Sequence, residues 1–440
     1  MADGKEIADY LLRKLRGKAE DVVVAAEKRE KAQVKFSNNK VSTTQRWLAD
    51  SVFVFAAIKG RTVSTTIFPD KKSADAAAEK LIRFSGSISK NTSYRGIAEG
   101  PFKYRKVQAF DKKIVDIDMA DKVHASINAA LECGAKRASG VFEMSAGKLY
   151  LVTSNGAEGE DKSAKAYFSV RALAENGGSG HDVIATRKAG ELDCAKVASG
   201  AAETAVASRR AVSAVPGTYD VLLDFLPAAN LMEHIASSAS IFYVESGLSC
   251  FGNKLGKNVA SRSFTLVDDA TIDWGIGSRA FDDEGVPTQR NEIIKEGVLK
   301  TYLHNTSTAV RYKAKTTASA GLTAPKAINP VVEKGNLNKE AILSKIKKGL
   351  LVTNVWYTRF TNHATGDFST IPRDGMFLVE NGKIKRPVKG LRISDNLPRM
   401  LKSIDAVGSE NREIMSWELD SPITVPQLLV RKVNFTKSAK

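Results

Sequence analysis

From Val215-Pro216-Gly217 to its end the chain is broken so often by turn residues that its strand-like runs have no helical crossovers between them, and this restricts the fold more than any other feature. A parallel βαβ unit needs a connection of about a dozen residues or more, usually a helix, to bring the chain back to the same sheet. Frequent turns leave no such room. The clearest turn is in Met376-Phe-Leu-Val-Glu-Asn381-Gly382-Lys-Ile-Lys, where Asn-Gly between two strand-like runs predicts a hairpin with a type I′ turn. Residues 215–440 are therefore expected to form a large antiparallel, β-rich domain. Two helices interrupt it, one following the strand-like run Tyr219 to Phe225 and one over Asn338 to Leu350 with Ile342 and Ile346 on a single face.

The first half reads differently. Ile7, Leu11, Leu12 and Leu15 have helical spacing, and strand-like runs follow at Asp21 to Ala26, Gln33 to Phe36 and Ser51 to Ile58, with Asn38-Asn39 as a turn. An alanine-rich helix over Lys72 to Phe84 completes a unit at about residue 87. Residues 86–112 are rich in Ser, Gly, Lys and Tyr without periodicity and read as a linker or surface connection. A second unit begins with Met119, Val123, Ile127 and Leu131 on one helical face. It continues through strands at Gly140 to Met144, Lys148 to Thr153 and Ala166 to Ala174, and ends in a helix from Thr186 to Arg210. The expected organisation is α+β: α/β units at 1–87 and 88–214, then the β-rich domain at 215–440.

At 440 residues with 43% hydrophobic content the chain can build more than one core. No apolar run is long enough to cross a bilayer, and Met1-Ala-Asp-Gly-Lys-Glu lacks the apolar core of a secretory signal, so a cytoplasmic protein without a membrane partner is expected. Cys133, Cys194 and Cys250 are too widely spaced for a disulfide framework or a thiolate zinc site and read as small buried hydrophobes. The net charge of +17 invites a nucleic-acid reading, but Lys and Arg are dispersed, with no dense tract or recognised binding motif.

The helix after Tyr219 to Phe225 begins Leu226-Pro-Ala-Ala-Asn-Leu-Met-Glu-His-Ile, with Pro227 in its first turn and Leu231, Ile235, Ser238 and Phe242 along one stripe. It holds one histidine, His234, beside Glu233. A helix-borne catalytic zinc needs two imidazoles, a third ligand, an open position for water and a carboxylate to activate that water. His234 has no such companions and is expected to be half-buried against a backbone carbonyl.

This helix, the run from Phe281 to His304 (FDDEGVPTQRNEIIKEGVLKTYLH), Thr365-Gly-Asp-Phe-Ser, Gly375-Met-Phe-Leu-Val-Glu-Asn-Gly-Lys-Ile and Pro387-Val388 together resemble the TldD/TldE (PmbA) peptidase family, and most closely its TldE (PmbA) arm. The resemblance covers most of the chain from about Tyr219 onward. It implies that the zinc-bearing arm carries HExxxH on the helix, in a register that places its ligand positions at Glu233 and Ser238 and its glutamate at His234. It also implies a late cysteine ligand, and Ala406 to Ile414, where that cysteine is due, contains none. No zinc or other cofactor is therefore expected in this chain, and no catalytic residue. The implied role is a partner subunit for a zinc-bearing TldD-like paralogue, in a complex that cleaves small or unfolded peptides. His363, Thr365, Asp367 and Ser369, with Asp282, Asp283 and Glu284, are the candidates for lining its cleft. The acidic residues otherwise read as a turn with solvated carboxylates, and Thr361, Asn362 and His363 with Asp367 as loop residues rather than a triad. Two other readings stay open: a nucleic-acid or gyrase-modulating binder, and a self-sufficient peptidase with an unrecognised site.

Overall fold

The computed structural model describes residues 3–438; Met1 and Ala2, at the head of the stretch read for a leader, lie outside them. The first half of the chain runs α1 (Gly4–Leu15), β1 (Asp21–Ser37), β2 (Lys40–Ile58), β3 (Arg61–Ile67), α2 (Lys71–Ser85), then α3 (Met119–Glu132), β4 (Arg137–Thr153), β5 (Glu158–Leu173), β6 (Ser179–Thr186) and α4 (Cys194–Ala207). It is one motif used twice, a three-strand meander between two helices. The halves join along β1 and β4, giving one six-stranded antiparallel sheet in the order β3-β2-β1-β4-β5-β6. The two short runs read at Asp21 to Ala26 and Gln33 to Phe36 are the ends of a single strand. Its charged middle, Glu27 to Lys31, hides the strand from a hydrophobicity reading.

Alternation along β1 divides the sheet into two faces. Val22, Val24, Val34 and Phe36 point to the face covered by the four helices, packing with Leu11, Leu15 and Leu81 at one end and Val123, Ile127 and Val197 at the other. Val23 points to the opposite face and packs with Ile97, Leu151 and Phe281. Asp3, Asp70, Asp118 and Asp193 cap the four helices, each accepting a first-turn backbone N–H. The Asp193 cap explains why α4 starts eight residues later than the alanine-rich pattern suggested: Thr186 ends β6 instead.

Residues 86–112 are no slack linker. Ile97, Ala98, Val107 and Ala109 are buried, and the segment bonds to the second half of the chain at several points. Arg95 N donates to Ser307 Oγ (2.9 Å), Ser307 Oγ to Gly96 O (2.9 Å), and Tyr104 Oη to Gly285 O (2.8 Å).

The second half is built on a twelve-stranded sheet. Most of its pairings are antiparallel, including 348–362 with 367–380 and the hairpin closed by Asn381-Gly382, where both residues have positive φ. Parallel contacts of 220–223 with 349–352 and of Val331 with Thr424 make it a mixed sheet within an α+β fold. The helix expected over Asn338 to Leu350 covers only Lys339–Ser344, and a strand begins at Lys348. No helix among the described residues is long and apolar enough to cross a membrane.

Candidate functional site

The helix α5 (Phe225–Ser238) starts from Asp224, which caps Phe225 N (3.0 Å) and is held by Gln427 Nε2 (2.7 Å). Pro227 sits in its first turn, where a missing N–H costs nothing. Every residue from Leu226 to Ala236 is buried except His234, because α5 packs onto the strands 348–362 and 423–437 rather than lying on the surface. The stripe read through Phe242 stops short: the helix ends at Ser238, and Phe242 lies exposed in a separate helical turn, Ile241–Glu245.

A helix enclosed in this way satisfies most of its polar side chains locally, with Asn230 Nδ2 left without a partner. Asn230 Oδ1 accepts from Thr358 Oγ1 (2.5 Å), and Thr358 also reaches Thr370 Oγ1 (2.8 Å). Glu233 is buried, and its Oε1 accepts from Ser237 Oγ one turn on (2.9 Å). Burial pushes its carboxyl up to about 7. Ser238 Oγ donates to the carbonyl of His234 (2.8 Å) and is thereby committed to its own helix.

His234 is half-buried as expected, but its ring meets aromatic carbon, not a backbone carbonyl. It stands edge-on to Phe360 at 5.0 Å, and His363 stacks on the same phenyl ring at 4.9 Å. Its Nδ1 lies 3.9 Å from Glu233 Oε2. Burial pushes the imidazole down to about 4, with His363 and Arg359 acting in the same direction and Asp420 against it. At neutral pH His234 is uncharged.

Residues 363–369 form the turn and outgoing strand facing this end of α5. His363 and Thr365 are exposed. Thr365 Oγ1 donates to Asp367 Oδ2 (2.5 Å) and Asn396 Nδ2 to Asp367 Oδ1 (2.8 Å); these bonds hold the Asp367 carboxyl below its ordinary range. Ser369 Oγ accepts from Arg392 Nη1 (3.0 Å). Farther back along the 348–362 strand lies an aromatic rim absent from the sequence reading. Trp356, Tyr357 and Trp417 meet edge to face, with Tyr357 at φ +59° in an irregular stretch of its strand. Positive φ at an exposed aromatic was not legible beforehand.

The acidic block is elsewhere, and of its three carboxylates only that of Asp283 stays partly solvated. Asp282 and Glu284 are buried, a correction that follows from what covers them: Tyr104 and Ala320 lie over residues read as a free turn. Asp282 accepts three backbone N–H groups, from Glu284 (3.0 Å), Val286 (2.9 Å) and Ala320 (3.0 Å). Asp283 pairs with Arg279 (2.7 Å). Glu284 Oε2 accepts from Thr306 N (3.1 Å) at the start of the helix Thr306–Tyr312. Burial raises Asp282 to about 6, and burial with the neighbouring Asp282 raises Glu284 to about 8. No hydrogen bond, ion pair or ring contact links Asp282, Asp283 or Glu284 with residues 363–369 among the described residues, so the structure makes two places of the candidate cleft residues.

Family models described as the PmbA/TldA metallopeptidase central domain and C-terminal domain match residues 110–209 and 216–437. The chain belongs to the PmbA/TldD metallopeptidase family. Its PmbA/TldD relatives include a metalloprotease of Methanocaldococcus jannaschii, 32% identical over 201 residues covering 43% of each chain. A TldD homologue of Haemophilus influenzae is 28% identical over 50% of this chain and 47% of its own, and a PmbA homologue of Buchnera aphidicola 33% identical over 35% and 36%. The aligned stretch thus spans less than half the length of each relative. Two solved structures share the fold over nearly the whole chain. TldE from Thermococcus kodakarensis matches with TM-score 0.88 at 19% identity, and a Thermotoga maritima protein described as a candidate modulator of a DNA gyrase with 0.88 at 22%, each over 98% of this chain and 100% of that one.

Among the described residues no group of three or more His, Cys, Asp or Glu side chains is arranged to hold a metal ion. On α5 the donors do not converge. Ser238 is spent on its helix, Glu233 is tied to Ser237, and both imidazoles lie against Phe360.

Proposed function

We propose that this chain is the non-metal, TldE-like subunit of a PmbA/TldD-type metallopeptidase complex, acting in the cytoplasm beside a TldD-like paralogue that supplies the zinc. The observation that carries the reading is the state of Glu233, His234 and Ser238. These stand where the family's catalytic arm is expected to present its HExxxH set, and here they are a buried carboxyl, a neutral imidazole packed on Phe360, and a hydroxyl bonded to its own helix. Such a set does not fit zinc, and no catalytic step is assigned to it.

What the chain contributes is position. A β-rich wall can take an extended peptide along a sheet edge, with main-chain hydrogen bonds for affinity and alternate side chains for selectivity. Holding the scissile bond against a partner's metal-activated water removes a large entropic part of the barrier without a nucleophile from this side. The rim of Trp356, Tyr357 and Trp417 suits contact with unfolded peptide, since large aromatic surfaces bind varied sequences.

The test is hydrolysis of an unstructured peptide by this chain, by a TldD-like partner, and by their mixture, with and without a chelator. Chelator-sensitive cleavage confined to the mixture is expected. Cleavage by this chain alone would sink the reading, and tight, steeply salt-dependent binding to bare DNA without any peptidase effect would favour the nucleic-acid alternative.

A further inference from the structure

On the face of the six-stranded sheet turned away from the helices lie two cavities, of about 600 Å³ and 530 Å³, which share Arg29 and Lys165. The larger lies between the sheet and residues 276–283 and is partly walled by Phe53, Leu149 and Leu322. Its size is that of a ligand pocket.

The charges around it are unevenly matched. Each carboxylate of the larger cavity is engaged: Glu27 by Arg29 (2.7 Å), Asp161 by Ala280 N (3.1 Å) and Lys162 N (2.8 Å), Asp282 by three backbone amides, and Asp283 by Arg279. In the second cavity Glu143 accepts from Gln33. Arg29 and Arg279 are paired in this way, but Lys165 and Arg187 are not. Lys165 Nζ has Met415 Sδ, at 3.5 Å, as its hydrogen-bond partner, and a thioether is a poor acceptor for an ammonium. Arg187 is buried and bonds only carbonyls, those of Ala109 (3.1 Å), Ile276 (2.6 Å) and Ser278 (3.0 Å), while its Nε has no partner. Glu413 and Asp161 lie near enough to Arg187 to favour its charge, but no carboxylate bonds to Arg187 or to Lys165, and a desolvated cation without a bonded anion is costly. Burial, with Arg187, Arg29 and Lys31 nearby, pushes Lys165 down to about 8 against the opposing pull of Glu143, which leaves it largely charged at neutral pH.

An anion that enters this cavity finds an unpaired ammonium backed by a buried guanidinium. Asp161, Asp282 and Asp283 share the space, and a dianion such as phosphate costs more to desolvate there than a single negative charge, because that penalty rises faster than the charge while attraction and repulsion rise in step with it. We propose that this cavity binds a carboxylate of an extended peptide, with Lys165 as the anchoring cation and Arg187 reinforcing the field. The inference rests on the peptide-cleft reading above and adds a selectivity to it. The carboxylate comes from the peptide's C-terminus or from an Asp or Glu side chain, and the two sources are separable.

The experiment is fluorescence anisotropy with the full chain alone at near-neutral pH and low salt, using a short, unstructured, N-terminally labelled peptide without acidic residues. It is compared as free acid, as C-terminal amide, and as an amide with one internal Asp. The free acid is expected to bind about tenfold more tightly than the amide, the scale of one charge-assisted contact. An internal-Asp amide that recovers this affinity assigns the carboxylate to a side chain; one that does not assigns it to the terminus. Lys165→Met keeps the unbranched stem, removes a desolvated charge, and is expected to fold and to lose the preference; Lys165→Arg is expected to keep it. Equal binding of all three peptides to the wild type, or a preference that survives Lys165→Met, overturns the proposal. Because binding is read on this chain alone, that failure is distinct from failure of the partner-dependent hydrolysis.

Discussion

The imidazole of His234 stands edge-on to the phenyl ring of Phe360, centroids 5.0 Å apart at an interplanar angle of 78°. The helix position nearest to a metal motif is thus turned into an aromatic packing contact. Replacing His234 by Ala should cost about 1 kcal/mol at neutral pH, the scale of one such pair, and leave peptide hydrolysis by the complex nearly intact. Chemical denaturation and steady-state kinetics check this; a loss of kcat of about a hundredfold with the fold preserved would show an acid or base at work.

His234 also sets a direction for acid stability. Its folded pKa, near 4, lies below its ordinary 6.5, so the unfolded chain takes up the proton first and this contribution, present above about pH 6.5, is lost as the pH falls through 4. His234→Leu should flatten that acid limb. A limb of unchanged steepness, followed by Tm against pH, would place the titration elsewhere.

Glu284 predicts the opposite trend. Its folded pKa, near 8, exceeds the ordinary 4.5, so its contribution is full below about pH 4.5 and is lost as the pH rises through 8. Glu284→Gln keeps the shape and cannot ionise. The variant should come close to wild type near pH 5 and be the more stable near pH 8, by on the order of 3–4 kcal/mol. A difference that does not grow with pH would refute an ionising Glu284.

Asp282 is a hub for three backbone amides. Asp282→Ala strands those donors and should destabilise the chain by about 2–4 kcal/mol, with the loss visible in the denaturation midpoint of the chain alone. Loss of peptide binding at unchanged stability would make it a cleft residue instead.

Metal analysis of the purified, dialysed chain should find no stoichiometric zinc, since the α5 donors are committed to Ser237, Phe360 and the helix backbone. One tightly held zinc per chain would contradict both this and the subunit assignment.

What the sequence determined by itself was local in origin. The Asn381-Gly382 turn and the helical stripes of α1 and α3 depend on neighbours a few residues away, so the α+β class and most elements could be read directly. The family was legible for a similar reason, because Phe281 to His304 is contiguous. Tertiary structure alone decided burial and company. Asp282 and Glu284 look solvent-facing until the 86–112 segment and Ala320 close over them, and Lys165 looks like a surface lysine until Met415, 250 residues on, packs against its ammonium. His234 meets Phe360 only because the 348–362 strand runs beside α5. Whether a charged group is hydrated, paired or stranded depends on what other parts of the chain place around it, and hydrophobic periodicity carries no record of that.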